Sequence, residues 1–228
     1  MGIPNEQRAT RHLRDFTLYH LAGLKADPAA PHLIEPTEQA LSALLAALDK
    51  REAAERVELN QQALAVRKDF DLDELTRVVE LAVLGAVGKD RATSAYRAAF
   101  PRGLSALVGL RGKAQEIANS ELVIVLRQRF AEIGERYGTQ LEQLAKGSTE
   151  AEDAWKAAER AAKTALVDEQ IARAELVRQL HSNRGALRAL YPRNGRSVAS
   201  YFPPSHSRAA GEPDAADTDE APVEATAG

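Results

Sequence analysis

The heptapeptide Tyr96-Arg97-Ala98-Ala99-Phe100-Pro101-Arg102 returns near the end of the chain as Leu187-Arg188-Ala189-Leu190-Tyr191-Pro192-Arg193. Arg, Ala, Pro and Arg recur in register, with an aromatic residue before each proline. Each copy closes a long helical pattern and is followed by a Gly- or Asn-containing loop. Proline brings no N–H to the helical ladder and pushes the residue before it out of the α region. Both copies are therefore predicted helix stops. The chain then reads as two helical hairpins, 37–102 and 113–193, each ending in this stop. Phe100 and Tyr191 are expected at equivalent buried positions at one end of the bundle, related by an approximate two-fold.

The fold class that follows is all-α: an antiparallel, up-down-up-down four-helix bundle of long helices. Composition agrees. The hydrophobic content is 44% but aromatics are only 5%, so Ala, Leu, Val and Ile carry the apolar load beside 28% charged residues. With no cysteine, disulfides, thiolate-bound zinc and a cysteine nucleophile are excluded. Residues 1–6 lack the apolar stretch of a signal peptide, and the purest apolar runs, 81–87 and 122–126, are too short to span a bilayer. A soluble cytoplasmic protein is expected. Arg outnumbers Lys by 22 to 8, a bias that in Ala-rich chains more often reflects GC-rich coding than function.

Leu13, Phe16, Leu21 and Leu24 predict a short first helix within residues 5–24, and Pro28, Pro31 and Pro36 an extended connector over 26–36. Residues 1–36 thus precede a bundle of residues 37–202. From Thr37 the residues Leu41, Leu44, Leu45, Leu48, Val57, Leu64 and Val66 line one predicted core face. Asp71 with Glu74 has the spacing of a capping box, flanked by Phe70 and Leu75 as a hydrophobic staple, which places a helix start at 72. Leu122, Leu126, Phe130, Ile133, Tyr137, Leu141 and Leu144 step by four and three along a predicted helix over 113–146. Inside it Gly134 and Gly138 sit one turn apart, which suits a close helix crossing. Gly147 reads as its end, and Thr149 with Glu152 as a second capping box. The last helix is anchored by Trp155, Leu166, Ile171, Leu176, Val177, Leu180 and Leu187. Val198, Tyr201 and Phe202 are expected to dock after the second stop. Residues 203–228 read as a disordered acidic tail.

Motifs for chemistry are missing. No Glu stands three residues before any of the five histidines, so the di-iron pattern of helical bundles fails. All five histidines are expected at surface or cap positions. Gly85 to Asp90 lacks the Walker spacing, and no nucleophile elbow occurs. No catalytic residue, metal ligand, cofactor or small-molecule substrate is therefore inferred, and the chain is not expected to be an enzyme. Charge is more informative. No acid lies between Asp90 and Glu116 or between Glu175 and Glu212, stretches centred on the two stops. In the predicted topology Arg97, Arg102, Arg188, Arg193 and Arg196 gather at one pole, able to bind an anion. Asp71, Asp73, Glu74, Glu150, Glu152 and Asp153 mark the other, at helix N-termini. Helix-dipole complementation is the favoured account of both patterns. The leading expectation is a non-catalytic scaffold or protein-interaction module, with self-association or a protein partner. A nucleic-acid- or polyanion-associated protein is the alternative, and an enzyme without local motifs the third.

Overall fold

The computed structural model describes residues 3–204, and every regular element among them is helical. In order these are α1 (Thr10–Lys25), α2 (Ile34–Ala86), α3 (Ser94–Ala99), α4 (Leu104–Val108), α5 (Gly112–Arg129), α6 (Ala131–Leu190) and α7 (Gly195–Ser200). One 3-10 turn, Pro31–Leu33, leads into α2. The expected tail lies almost wholly outside the described residues.

The all-α expectation holds, but the two hairpins are not the arrangement found. Helix α2 runs unbroken for 53 residues and α6 for 60, about 80 and 90 Å at 1.5 Å per residue. Both predicted capping boxes fall inside them. Asp71 is held by Arg67 at 2.9 Å and Glu74 by Arg77 at 3.7 Å, both as intrahelical ion pairs. Thr149 donates to the Ala145 carbonyl at 3.2 Å, and Glu152 meets Lys156 at 2.6 Å. A Thr or Asp followed three residues on by Glu also suits the polar face of a continuous helix, where i,i+4 partners satisfy it. Gly147 is tolerated mid-helix. Conversely, the predicted helix over 113–146 is broken. Helix α5 ends at Arg129 and α6 starts at Ala131, with Phe130 between them at φ −139° and ψ 61°. Both proline stops do terminate helices, α3 at Ala99 and α6 at Leu190, and a short helix follows each.

The described residues divide into two compact units, 39–176 and 3–38 with 177–204. In the first, the reversal at Phe130 folds α6 back along α5. A Cβ at Gly134 would lie 2.8 Å from the Arg127 backbone nitrogen, and one at Gly138 3.2 Å from Val123 Cγ1. The expected close crossing is thus made by these two glycines, and Arg127 to Glu142 closes it with two hydrogen bonds of 3.0 Å. Arg111 to Asp69 (3.3 Å) and Gln115 to Asp73 (3.1 Å) advance together, so α5 runs parallel to α2. Lys50 to Asp168 (2.6 Å) and Arg51 to Glu169 (2.9 Å), with Ala65 and Trp155 lining one cavity, make α6 antiparallel to α2. The core is Leu72, Val79 and Val83 of α2, Phe100, Leu122, Val123 and Leu126, and Leu141 and Ala145 of α6.

In the second unit α1 buries Leu13, Phe16, Leu21 and Leu24, as expected, together with Leu33, Leu180, Leu187, Val198, Tyr201 and Phe202. Tyr201 and Phe202 dock as the sequence predicts. Gly23 makes room, since a Cβ there would lie 3.3 Å from Tyr201 Cα. Phe100 and Tyr191 are not equivalent. Phe100 is buried in the core of the first unit, while half-buried Tyr191 in the second gives its hydroxyl to Asp27 Oδ2 at 2.6 Å.

Candidate interaction surface

Helix α2 turns Ala65, Leu72, Thr76, Val79 and Val83 inward. Its opposite side carries an apolar stripe that the expected core face did not separate out. Leu59 is 62% exposed, Val66 64% and Phe70 52%, and Ala63 between them is also exposed. Val57 and Leu64, two more predicted core residues, are exposed as well. The reason is local. Opposite this part of α2, α6 offers small Ala158, Ala162 and Ala165 as its buried positions. Two helices closing over alanine bury one narrow face each and leave the larger side chains outside. Leu166 and Ile171 of α6, expected as anchors, are exposed for the same reason.

The steps from Leu59 to Ala63, Val66 and Phe70 are four, three and four, the spacing of a coiled-coil seam. The same spacing continues to Arg56 and Glu52 on one side and to Asp73 and Arg77 on the other. Arg56 Nε donates to the Glu52 carbonyl at 3.1 Å, and the Arg67 guanidinium lies 5.4 Å from the Phe70 ring centroid. Asp73 is half-buried. Burial, and then the neighbouring Asp69 carboxylate, push its carboxyl above the usual range. The register of α2 on α6 is held beside the Glu52 end of the seam by Glu169, whose buried carboxylate is clamped by Arg51 at 2.9 Å and by Arg173 Nε at 3.0 Å. A buried charge that must meet its partners tolerates no slip.

The five arginines expected at one pole are divided between the two compact units. Arg97 and Arg102 are exposed in the first unit, where Arg102 lines a cleft of about 260 Å³ with Phe100, Pro101 and Leu107. Arg188, Arg193 and Arg196 are exposed in the second. There Arg188 and Arg184 line a cleft of about 290 Å³ with Tyr191, Pro192, Val198 and Phe202. Among the described residues, none of Arg184, Arg188, Arg193 and Arg196 has an acid within 4.0 Å. The six acids expected to oppose them are interior to α2 and α6, not at helix starts.

Sequence reasoning missed the buried polar groups. His20, expected at the surface, is fully buried and stacked on Phe202 at 4.6 Å between centroids. Its Nδ1 lies 2.9 Å from the Tyr201 carbonyl, so Nδ1 carries the proton. Nε2 then accepts from Asn183 Nδ2 at 3.0 Å, and Asn183 also donates to Thr37 Oγ1 at 2.7 Å. Burial lowers the pKa of His20, and the Tyr201 carbonyl offsets this in part. Asp27 accepts from the hydroxyls of Tyr191 and Tyr201, which hold its carboxyl below the usual range, while burial and then the bond to Asp27 raise the Tyr201 phenol. Glu80 accepts from Tyr96 at 2.8 Å and Arg91 at 3.0 Å, buried at the start of the first proline stop. One signal was available in the sequence. Glu169 and Asn183 occupy the buried register of α6, in step with Ala165, Leu176, Leu180 and Leu187. A polar residue on such a register must be satisfied there.

Among the described residues no helix is long and apolar enough to cross a membrane. No protein-family model matches the chain, and neither a curated protein nor a solved structure is significantly similar to it.

Proposed function

We propose that this chain is a non-catalytic protein-interaction module, and that its docking surface is the outer face of α2 between Glu52 and Arg77. The occupant is an amphipathic helix. One observation carries the reading: Leu59, Ala63, Val66 and Phe70 form an exposed run at coiled-coil spacing on a helix whose opposite face is already packed. Contiguous exposed apolar surface with a polar rim marks interaction sites. Helical partners read such a face through anchors three and four residues apart. A photo-crosslinking amino acid at Ala63, in cells expressing the full chain, is expected to give a protein adduct. Sequencing the adduct should find the crosslinked peptide in a helix with apolar residues at the same spacing. Leu59→Glu should abolish the adduct. No adduct, or one that survives Leu59→Glu, would reject this surface.

A second reading rests on Arg184 and Arg188, which line the Tyr191–Phe202 cleft with no acid within 4.0 Å among the described residues and suit an anionic ligand. Heparin or single-stranded DNA is expected to bind weakly, with a steep loss on adding salt. Arg184→Gln with Arg188→Gln should remove most of that binding. Residues 209–228, with six acids and no basic residue, would compete for the cleft, so deleting them should tighten binding at low salt only. Absence of binding at low salt in the truncated chain rejects the reading.

A further inference from the structure

The seam on α2 is self-complementary when it meets a second copy of itself running the other way. In an antiparallel coiled coil each position of one seam type faces the other type on the partner helix. The eight seam residues are Glu52, Arg56, Leu59, Ala63, Val66, Phe70, Asp73 and Arg77. A two-fold axis between Ala63 and Val66 pairs Ala63 with Val66, Leu59 with Phe70, Arg56 with Asp73, and Glu52 with Arg77. The two central layers are apolar and the two outer layers join opposite charges. Seven of the eight residues are exposed, on a face that α6 does not cover, Arg77 among them with a 3.7 Å ion pair to Glu74, and Asp73 is half-buried beside Gln115.

The parallel arrangement in register fails on the same residues. It would set Glu52 against Glu52, Arg56 against Arg56, Asp73 against Asp73 and Arg77 against Arg77, four like-charge layers around the same apolar centre. Like charges across a seam choose against an orientation more strongly than apolar layers choose for it. A closed two-fold contact also uses the stripe once per chain and leaves no open edge.

We infer that the chain forms an antiparallel homodimer through the outer face of α2, in which the 52–77 seam of one copy packs on the 52–77 seam of the other. This rests on the docking reading above and names its partner. Both copies contribute the same residues, so every layer occurs twice about the axis.

The chain has no cysteine, which makes the arrangement directly testable. Full-length Leu59→Cys and Phe70→Cys chains are mixed and oxidised. A disulfide needs Cα atoms within about 7 Å. Residues 59 and 70 are eleven positions apart, about 16 Å along a helix, so the two arrangements separate cleanly. The antiparallel dimer gives the mixed 59–70 product and almost no 59–59 or 70–70 product. Sedimentation of the unmodified chain should give a concentration-dependent dimer. Glu52→Arg and Arg77→Glu should each weaken it about tenfold or more, and the double variant should restore it. These exposed charge swaps leave the core untouched, so loss of dimer cannot be put down to unfolding, and circular dichroism checks it. A 59–59 product, a monomer at all concentrations, a dimer that none of these disulfides traps, or a double variant no better than the singles would overturn the inference. A monomer that still gives a foreign adduct at Ala63 leaves the docking reading standing and removes only this one.

Discussion

His20 is a fixed neutral base in a fully buried site, and its tautomer is dictated by its neighbours. The Tyr201 carbonyl can only accept, so Nδ1 must donate. The Asn183 amide that meets Nε2 also donates to Thr37, whose hydroxyl is committed to the Leu33 carbonyl at 2.6 Å. A second ring proton therefore has no acceptor. Because burial depresses the folded pKa below the unfolded value of about 6.5, the unfolded chain binds more protons between the two. The stability that His20 contributes is complete above about pH 6.5 and is lost as pH falls through the folded pKa. Thermal melts should show a drop from pH 7.5 to pH 5.5 that shrinks in His20→Phe. An unchanged drop would assign it to other groups. Two glycine classes give opposite signs at the same scale. Gly134→Ala drives a Cβ into the Arg127 backbone and should cost about 1–3 kcal/mol. Gly147→Ala and Gly185→Ala have open space within helix α6 and should each stabilise by roughly 0.5–1 kcal/mol, read from chemical denaturation midpoints.

At the scale of the element, the α5–α6 reversal shows why a heptad pattern misleads. Leu122, Leu126, Phe130, Ile133 and Tyr137 read as one continuous seam, and no proline or glycine at position 130 announces a break. Residues on the two sides of Phe130 are apolar because they face each other across a hairpin. A repeat of four and three looks the same whether the helix continues or folds back on itself. Leu126 lies at the centre of that hairpin and is fully buried, so Leu126→Ala should cost about 2–5 kcal/mol. Phe130 is only partly buried at the reversal, and Phe130→Ala should cost less, which the same denaturation series measures. Along the α2–α6 pair, Glu169→Ala would leave the Arg51 and Arg173 guanidinium groups without the carboxylate between them. A loss of about 3 kcal/mol is expected, the scale of breaking a buried pair.

For the whole molecule, association and stability are linked. If the 52–77 seam pairs two copies, folding and dimerisation share one equilibrium, and the melting temperature must rise with protein concentration. Val66→Glu is expected to flatten that dependence. Its melting temperature should match the wild type's at the lowest concentration, because Val66 is exposed in the single chain.

Local chemistry in the sequence determined several features outright. The all-helical class follows from the 3.6-residue spacing of Ala and Leu. The stops after Ala99 and Leu190 follow from Pro101 and Pro192. The close crossing at Gly134 and Gly138 follows from their one-turn spacing. Each is settled by a few neighbouring residues, so the sequence alone suffices. Tertiary structure decided whether Asp71 and Thr149 cap a helix or decorate one, because either role satisfies the same side chains. It also decided which apolar stripe of α2 faces α6 and which faces outward. Both stripes carry helical spacing, and only the small alanines of a helix a hundred residues away select between them. The same dependence on distant partners placed His20, Asn183 and Glu169 in the interior, where burial turns ordinary polar side chains into constraints.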